Sequence, residues 1–320
     1  HARHGDVRVG RFLIRRAFKI YPAFWVFIAV TLGVRWLRGV DVSPLSIAAE
    51  LLFFQNYVPG LWGHTWSLAV EEHFYLFLAA AVAWTLRGDL AKAPALRGPV
   101  DADPFHPLLR IYALMALTML VARAINAYTF DFNYRAHVFP TLIRMDTLML
   151  GAVLAYAYHR HRAAFVAWVA PRRAALLIGG ALLLAPPFAL LLHDATWIPV
   201  IGYNLNAIGA AAILAALMVG RFPDGAAMRA LGYLGTHSYS IYLWHLPALH
   251  VGAQWLVPKL YGRALTLAER WAWYVALSLV VGVAMAKLIE TPVLRLRDRW
   301  FPSRSRPLAA ASAARAESPV

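Results

Sequence analysis

Apolar runs long enough to cross a bilayer recur along this chain, and they restrict its fold more than any other feature. A segment of about 18–20 apolar residues spans roughly 30 Å of hydrocarbon. Such segments are read at about 20–37, 67–86, 108–126, 142–158, 174–192, 200–220, 236–257 and 271–290. Backbone polar groups inside lipid must be satisfied within the segment, which leaves helices as the solution. The expected fold class is therefore all-α: a polytopic transmembrane helical bundle of about eight spans. Residues 45–58 (LSIAAELLFFQNYV) are too short to cross, and they are read as a re-entrant or interfacial helix on the outer side. Composition agrees, with 61% hydrophobic and only 15% charged residues in 320, against about 45–50% and 25% in soluble domains.

The formal net charge of +15 suggests nucleic acid until its distribution is examined. With the N-terminus placed in the cytoplasm, the inner segments carry 22 Arg and Lys and the outer ones 7, while Arg123 and Lys287 fall within spans. That bias is the positive-inside pattern, so the charge reflects topology and lipid contact rather than a nucleic-acid surface. Both termini are expected in the cytoplasm, and the protein in the cytoplasmic (inner) membrane. Residues 87–107 read as an exposed cytoplasmic linker rich in Pro, Gly and charge. A membrane domain is expected over 1–300 and a disordered cytoplasmic tail over 301–320. Cysteine is absent, which excludes disulfides, thiol nucleophiles and thiolate metal sites.

The stretch WGHTWSLAVEEHFYLF at 62–77 places Glu71 and Glu72 inside an apolar run. Each ionisable group at membrane depth costs roughly 2.5–3.5 kcal/mol on insertion scales, so such groups usually line a cavity or carry chemistry. His64, Thr65, Ser67, His73 and Tyr75 crowd the same turns. Ser67 and Glu71 are four apart and share a helix face. A carboxylate near histidine suits proton transfer, because burial and neighbours can bring its pKa towards working pH. The same polar groups could equally form a hydrogen-bonded network holding helices together.

Three further stretches bear polar groups. In RFLIRRAFKIYP, Arg15, Arg16 and Lys19 are either snorkelling anchors at the inner boundary or a cationic clamp for a phosphate-bearing substrate. Pro22 fits early in that helix or as a kink. In RMDTLMLGAVLAYAY, Arg144 and Asp146 are either an interfacial anchor or the mouth of a polar cavity, and Gly151 with Ala155 offers a small-xxx-small face for close packing. In LGYLGTHSYSIYLWHLPAL, Ser238, Tyr242 and His245 share a face at i, i+4 and i+7, so His245 is either a structural donor or part of a cavity lining. Glu290, in the terminal LIETPVL, is expected to be structural and to pair with an N-terminal arginine. No His/Asp cluster has ligand spacing on one helix face, so no metal is expected.

These stretches together resemble the acyltransferase-3 family of integral membrane O-acyltransferases, which O-acetylate surface polysaccharides, lipopolysaccharide, peptidoglycan and some small molecules. The likeness is carried by RFLIRRAFKIYPAF, HTWSLAVEEHFYLF, RMDTLMLGAVLA, LGYLGTHSYSIYLWHLP and IETP, and it covers nearly the whole chain. It implies an acyl (most simply acetyl) group taken from cytoplasmic acyl-CoA and placed on a hydroxyl of an extracytoplasmic glycan or glycolipid. By the same resemblance, Glu71, Glu72, His64 and His245 are the catalytic candidates, with Glu71 first as acid/base or orienting group. Trp66, Ser67, Tyr75, Arg144, Asp146, Ser238, Tyr239 and Tyr242 would bind substrate. Arg15, Arg16 and Lys19 would hold the phosphates of CoA, with Lys19 standing where the family's RxxR pattern more often has Arg. That exchange keeps the charge but loses a planar bidentate fork.

The family's first span carries an Arg/Lys-x10-His motif. No histidine here has Arg or Lys eleven positions before it. The chain begins at His1, and on this resemblance it is expected to lack the two N-terminal spans and that histidine, and to be inactive as it stands. A proton-coupled transporter or flippase of lipid-linked sugars would use an intramembrane Glu and His equally well, and a non-catalytic scaffold is a third possibility. The expected partners are membrane lipid and a glycan acceptor.

Overall fold

The computed structural model describes residues 8–86, 105–186, 195–220, 222 and 224–303. Most of the expected linker at 87–107 and most of the expected tail at 301–320 lie outside the described residues. Among the described residues every regular element is helical, as the apolar runs require. The helices are α1 (Val9–Leu37), α2 (Pro44–Leu51), α3 (Trp66–Leu86), α4 (Pro107–Thr129), α5 (Tyr134–His137), α6 (Met145–Arg160), α7 (Arg162–Val169) and α8 (Arg173–Leu184). They continue as α9 (Tyr203–Val219), α10 (Ala226–Thr236), α11 (Ser238–Pro247), α12 (Val257–Tyr261), α13 (Leu267–Met285) and α14 (Thr291–Trp300). Wider π-type turns lead into α9 at Ile198–Gly202, join α11 to α12 at Ala248–Leu256, and join α13 to α14 at Ala286–Glu290.

Local chemistry sets several of these boundaries. Pro44 and Pro107 open α2 and α4, where a missing N–H costs nothing. Gly262, at φ +64°, ends α12 in the left-handed conformation that glycine tolerates best. Thr266 and Glu269 form a reciprocal capping box at the start of α13. Arg263 grips the same Glu269 carboxylate at 2.6 and 2.9 Å. Pro22 lies well inside α1 rather than at its start.

Five helical segments are long and apolar enough to cross a membrane: Val9–Leu37, Pro107–Thr129, Arg162–Leu184, Ile198–Val219 and Leu267–Trp300. Each overlaps an expected span, although the Arg162–Leu184 segment begins well ahead of the expected 174–192, so its first residues are helical where a loop was read. The other three expected spans are helical too: α3 with its two glutamates, α6 at 16 residues, and the α11–α12 run containing Pro247. At about 1.5 Å per residue α6 reaches some 24 Å, short of the roughly 30 Å of hydrocarbon. Residues 45–58, read as re-entrant or interfacial, begin within α2, which is eight residues long. Large apolar side chains face outward along the helices: Leu117 is 60% exposed, Ile178 64% and Val280 66%. An apolar exterior of that extent suits lipid and not water, so the chain is an integral membrane protein.

By internal contacts the chain divides into two units, one of residues 1–41 with 225–320 and one of residues 42–224. In the 42–224 unit the core is methionine-rich, with Met115, Met119, Met145 and Met149 packed against Phe74 and Leu108. Helices α8 and α9 meet there at Gly180 and Gly209. A Cβ on Gly180 would lie 2.7 Å from the Gly209 carbonyl oxygen, and one on Gly209 would lie 2.8 Å from that of Gly180. This is the small-residue contact that lipid-embedded helices use. It is not where the sequence placed it: Gly151 has open space where a Cβ would sit, and Ala155 is exposed. The reason is positional, since that face of α6 borders a groove instead of a neighbouring backbone.

In the other unit α11 packs on α13, where a Cβ on Gly282 would meet the Ile241 Cα at 2.5 Å. Phe27 of α1 packs edge-to-face on Trp244, with centroids 5.2 Å apart.

Candidate active site

The 42–224 unit concentrates its buried polar residues around the start of α3 and the start of α6. Glu50, at the end of α2, is 1% exposed. Its Oε1 accepts from the Leu61 N–H at 2.7 Å, the Trp62 N–H at 3.4 Å and the Thr65 hydroxyl at 2.9 Å. Gly60 permits this approach, because a Cβ there would sit 2.5 Å from the same oxygen. Gln55 donates to the Thr65 carbonyl at 2.9 Å. The loop before α3 is thus wrapped around one buried carboxylate, which fixes where His64 and Trp66 emerge. The sequence marked His64 of this loop and Trp66 and Ser67 at the start of α3, but not the Glu50 that holds the loop.

Within α3, Glu72 is 6% exposed, whereas Glu71 and Ser67 are half-buried. The Tyr75 hydroxyl donates to Glu71 Oε2 at 3.2 Å, one turn along the same face. His64 is 9% exposed and packs against Trp62. His73 shares a 2.7 Å hydrogen bond between its Nδ1 and the Thr141 hydroxyl, and that hydroxyl also accepts from Asn56 Nδ2 at 2.9 Å. This link joins α3 to the turn at Thr141–Ile143, immediately before Arg144.

Arg144 and Asp146, two residues apart, part company in the structure. Asp146 is 1% exposed and is held by Arg123, also 1% exposed, through two parallel hydrogen bonds of 3.1 and 2.8 Å. Arg123 further donates to the carbonyls of Val200 at 3.0 Å and Ile143 at 2.8 Å, and to Asn204 Oδ1 at 2.5 Å. Its five N–H donors are therefore all used. Such a saturated bidentate pair locks α4, α6 and α9 together and leaves Asp146 little capacity for a substrate. In the sequence, Arg123 stood out only as a charge within a span.

Arg144 points elsewhere. Its Nε donates to the Val138 carbonyl at 2.9 Å. Its guanidinium carbon lies 3.8 Å from the Tyr203 ring centroid and 5.1 Å from that of Trp66. Trp66 in turn stacks on Phe139, with centroids 5.0 Å apart, and the Tyr203 hydroxyl donates to the His137 carbonyl at 3.1 Å. Arg144 stands at one end of a groove of ≈ 430 Å³ between α6 and α9. The structure thus brings Trp66 and Arg144 together and separates Asp146 from them.

The remaining candidates lie in the other unit. Arg15 pairs with Asp298 at 3.0 Å and donates to the Phe301 carbonyl, while Arg11 donates to the Pro302 carbonyl at 2.7 Å. Two cations of α1 are therefore engaged by the end of α14; Arg16 and Lys19 are half-buried along the same helix. Tyr239 donates to the Ile20 carbonyl at 2.9 Å. Ser238 is exposed, whereas Ser240 is fully buried and donates to Glu290 Oε2 at 2.7 Å. Glu290, expected to pair with an N-terminal arginine, thus accepts from that hydroxyl of α11. His245 Nδ1 is hydrogen-bonded to the Tyr242 carbonyl one turn back, and its ring packs on those of Tyr242 and Tyr274. Among the described residues no three His, Asp or Glu side chains form a metal-binding group.

Buried polar side chains therefore cluster around the His-Thr-Trp-Ser and Glu-Glu-His stretches, in a chain whose other helices are long and apolar enough to cross a membrane. A sequence profile for the acyltransferase domain matches residues 5–288, so the chain belongs to the acyltransferase-3 family. It is similar to the O-acetyltransferase OatA of Staphylococcus aureus (strain NCTC 8325 / PS 47), 26% identical over 209 residues, which cover 63% of this chain and 32% of that protein. It is also similar to the peptidoglycan O-acetyltransferase OatA of Listeria monocytogenes serovar 1/2a, 25% identical over 320 residues, covering 90% of this chain and 47% of that protein. The chain thus spans about a third to a half of the length of these relatives. No solved structure matches it.

Proposed function

We propose that this chain is the membrane domain of an O-acyltransferase that moves an acyl group, in the simplest case acetyl, from cytoplasmic acyl-CoA to a hydroxyl of an extracytoplasmic glycan or glycolipid. The observation that carries the reading is family membership over nearly the whole chain, and the naming of its relatives as O-acetyltransferases supports acetyl. Peptidoglycan is the acceptor named for the Listeria relative, and a cell-wall glycan is the acceptor class proposed here.

In this reading the acceptor hydroxyl gives its proton to a basic group as its oxygen attacks the thioester carbonyl. The C–S bond then breaks, and the CoA sulfur leaves and takes up a proton. Glu71 is the acid/base or orienting carboxylate, tuned by Tyr75, with Glu72 and His64 in support on the same stretch. Arg144, held by Trp66 and Tyr203, positions the acceptor. In the other unit Arg16 and Lys19 are offered to CoA phosphates, and Ser238, Tyr239, Tyr242 and His245 shape a polar helix face. The inner membrane with both termini cytoplasmic is the location this reading assigns, supported by the 22-to-7 distribution of Arg and Lys.

The test supplies radiolabelled acetyl-CoA to vesicles containing the protein expressed from its complete gene. Label is expected on an outer glycan, and Glu71→Gln is expected to lower the transfer rate by about 100-fold, the scale of a lost general acid–base. Proton-driven solute uptake with no label transferred would replace this reading with that of a transporter.

A further inference from the structure

The groove beside Arg144, the residue proposed above to position the acceptor, has a shape and charge that acceptor positioning alone does not require. Asp146, the adjacent carboxylate, is consumed by Arg123 and by the Asn204 amide at 3.3 Å. Among the described residues Arg144 makes no ion pair at contact distance, and Asp146, two positions on, acts on it only through space. Its Nε is used, while its two terminal amino groups hold four N–H donors for which the described residues provide no acceptor. The two aromatic rings fix its position, and the start of α6 adds the partial positive charge of a helix N-terminus. Thr147 and Asn206 are the other polar residues at this end.

Away from Arg144 the groove turns apolar. Leu150 and Leu154 of α6 form one wall, and Ala207, Ala211 and Leu214 of α9 form the other. Gly151 lies between them, with nothing within 4 Å of where a Cβ would stand. The groove follows α9 from Tyr203 to Leu214, about 16 Å at 1.5 Å per residue. A helix some 10 Å across would fill ≈ 430 Å³ with roughly one turn. A volume that small drawn out over three turns fits an extended hydrocarbon chain and not a protein helix. One end offers the amino groups of Arg144, for which the described residues provide no acceptor, and the rest offers a greasy slot.

The geometry points to a binding site for an anionic lipid: its phosphate lies on the Arg144 amino groups, and one hydrocarbon chain runs between α6 and α9 over Gly151. The shape and charge come from this chain alone, so the inference stands whether or not acyl transfer occurs.

Native mass spectrometry of the detergent-purified protein tests it, with dioleoyl phosphatidylglycerol, dioleoyl phosphatidylcholine and inorganic phosphate as probes and no acyl donor present. Phosphatidylglycerol is expected to be retained at about tenfold lower concentration than phosphatidylcholine, the scale of one or two charge-assisted hydrogen bonds. Arg144→Gln is expected to erase that preference. Gly151→Phe, which fills open space and leaves Arg144 in place, is expected to weaken retention of phosphatidylglycerol by about tenfold or more. Equal retention of the two lipids by the unaltered protein would overturn the proposal. So would unchanged retention in Gly151→Phe, or displacement of the lipid by inorganic phosphate at matched concentration, which would mark a site for soluble anions. If Arg144→Gln does not fold, the lipid contrast and Gly151→Phe decide the matter.

Discussion

Two arginines, Arg123 and Arg144, show how burial and partnering assign different work to one side-chain type. Arg123 has every donor occupied and a carboxylate gripped in parallel, so removing it strands a buried charge. Arg123→Met is expected to destabilise the protein by about 3–5 kcal/mol. Combining it with Asp146→Leu should restore most of the loss, because no lone charge then remains buried. Thermal unfolding of detergent-purified variants reads both, and an Arg123→Met protein as stable as the parent would refute the assignment. The sequence placed Arg144 and Asp146 side by side and invited their reading as a unit. Residues two apart on a helix do not face each other, and the true partner of Asp146 lies 23 positions upstream. An arginine within a span was itself a signal of an interior partner. The link from His73 to Thr141 spans 68 positions, and no local pattern in the chain announces it.

Helix existence was legible throughout, because length and apolarity alone dictate it; helix contacts were not. A small-xxx-small pattern fits any helix face, and only the neighbouring backbone decides whether it is used. Gly151 met a groove, whereas Gly180 and Gly209, which no pattern singled out, met each other's carbonyls. Gly209→Leu is expected to cost about 1–3 kcal/mol or more through overpacking. Gly151→Ala should be neutral or stabilising by up to about 1 kcal/mol, since it adds helix propensity in open space. Chemical denaturation of the two variants side by side separates these outcomes, and equal losses would refute the α8–α9 contact. The polar face on α11 was read as Ser238, Tyr242 and His245, yet the buried hydroxyl is Ser240. Period-3.6 counting gave the stripe but not its direction, because both sides of a membrane helix can be apolar.

For the chain as a whole, the distribution of Arg and Lys is the most direct topological evidence, and it can be examined without disturbing the protein. Because there is no native cysteine, single replacements report their own side of the membrane. Ala264→Cys, in the exposed turn before α13, is expected to react with an impermeant maleimide in intact cells. His161→Cys, exposed after α6, should react only once the membrane is opened. The reverse pattern would invert the assignment of both termini.

The saturated pair of Arg123 and Asp146 also bears on how such a chain is made. The ribosome delivers α4 well before α6, so for a time the arginine faces the bilayer without its counter-charge. Leaving the translocon alone would cost that helix up to roughly 2.5–3.5 kcal/mol, the figure for an arginine at mid-span, a debt cancelled only when Asp146 emerges. The two hairpin arms are therefore under pressure to enter the lipid together, and ribosome pausing between them would be felt as misinsertion.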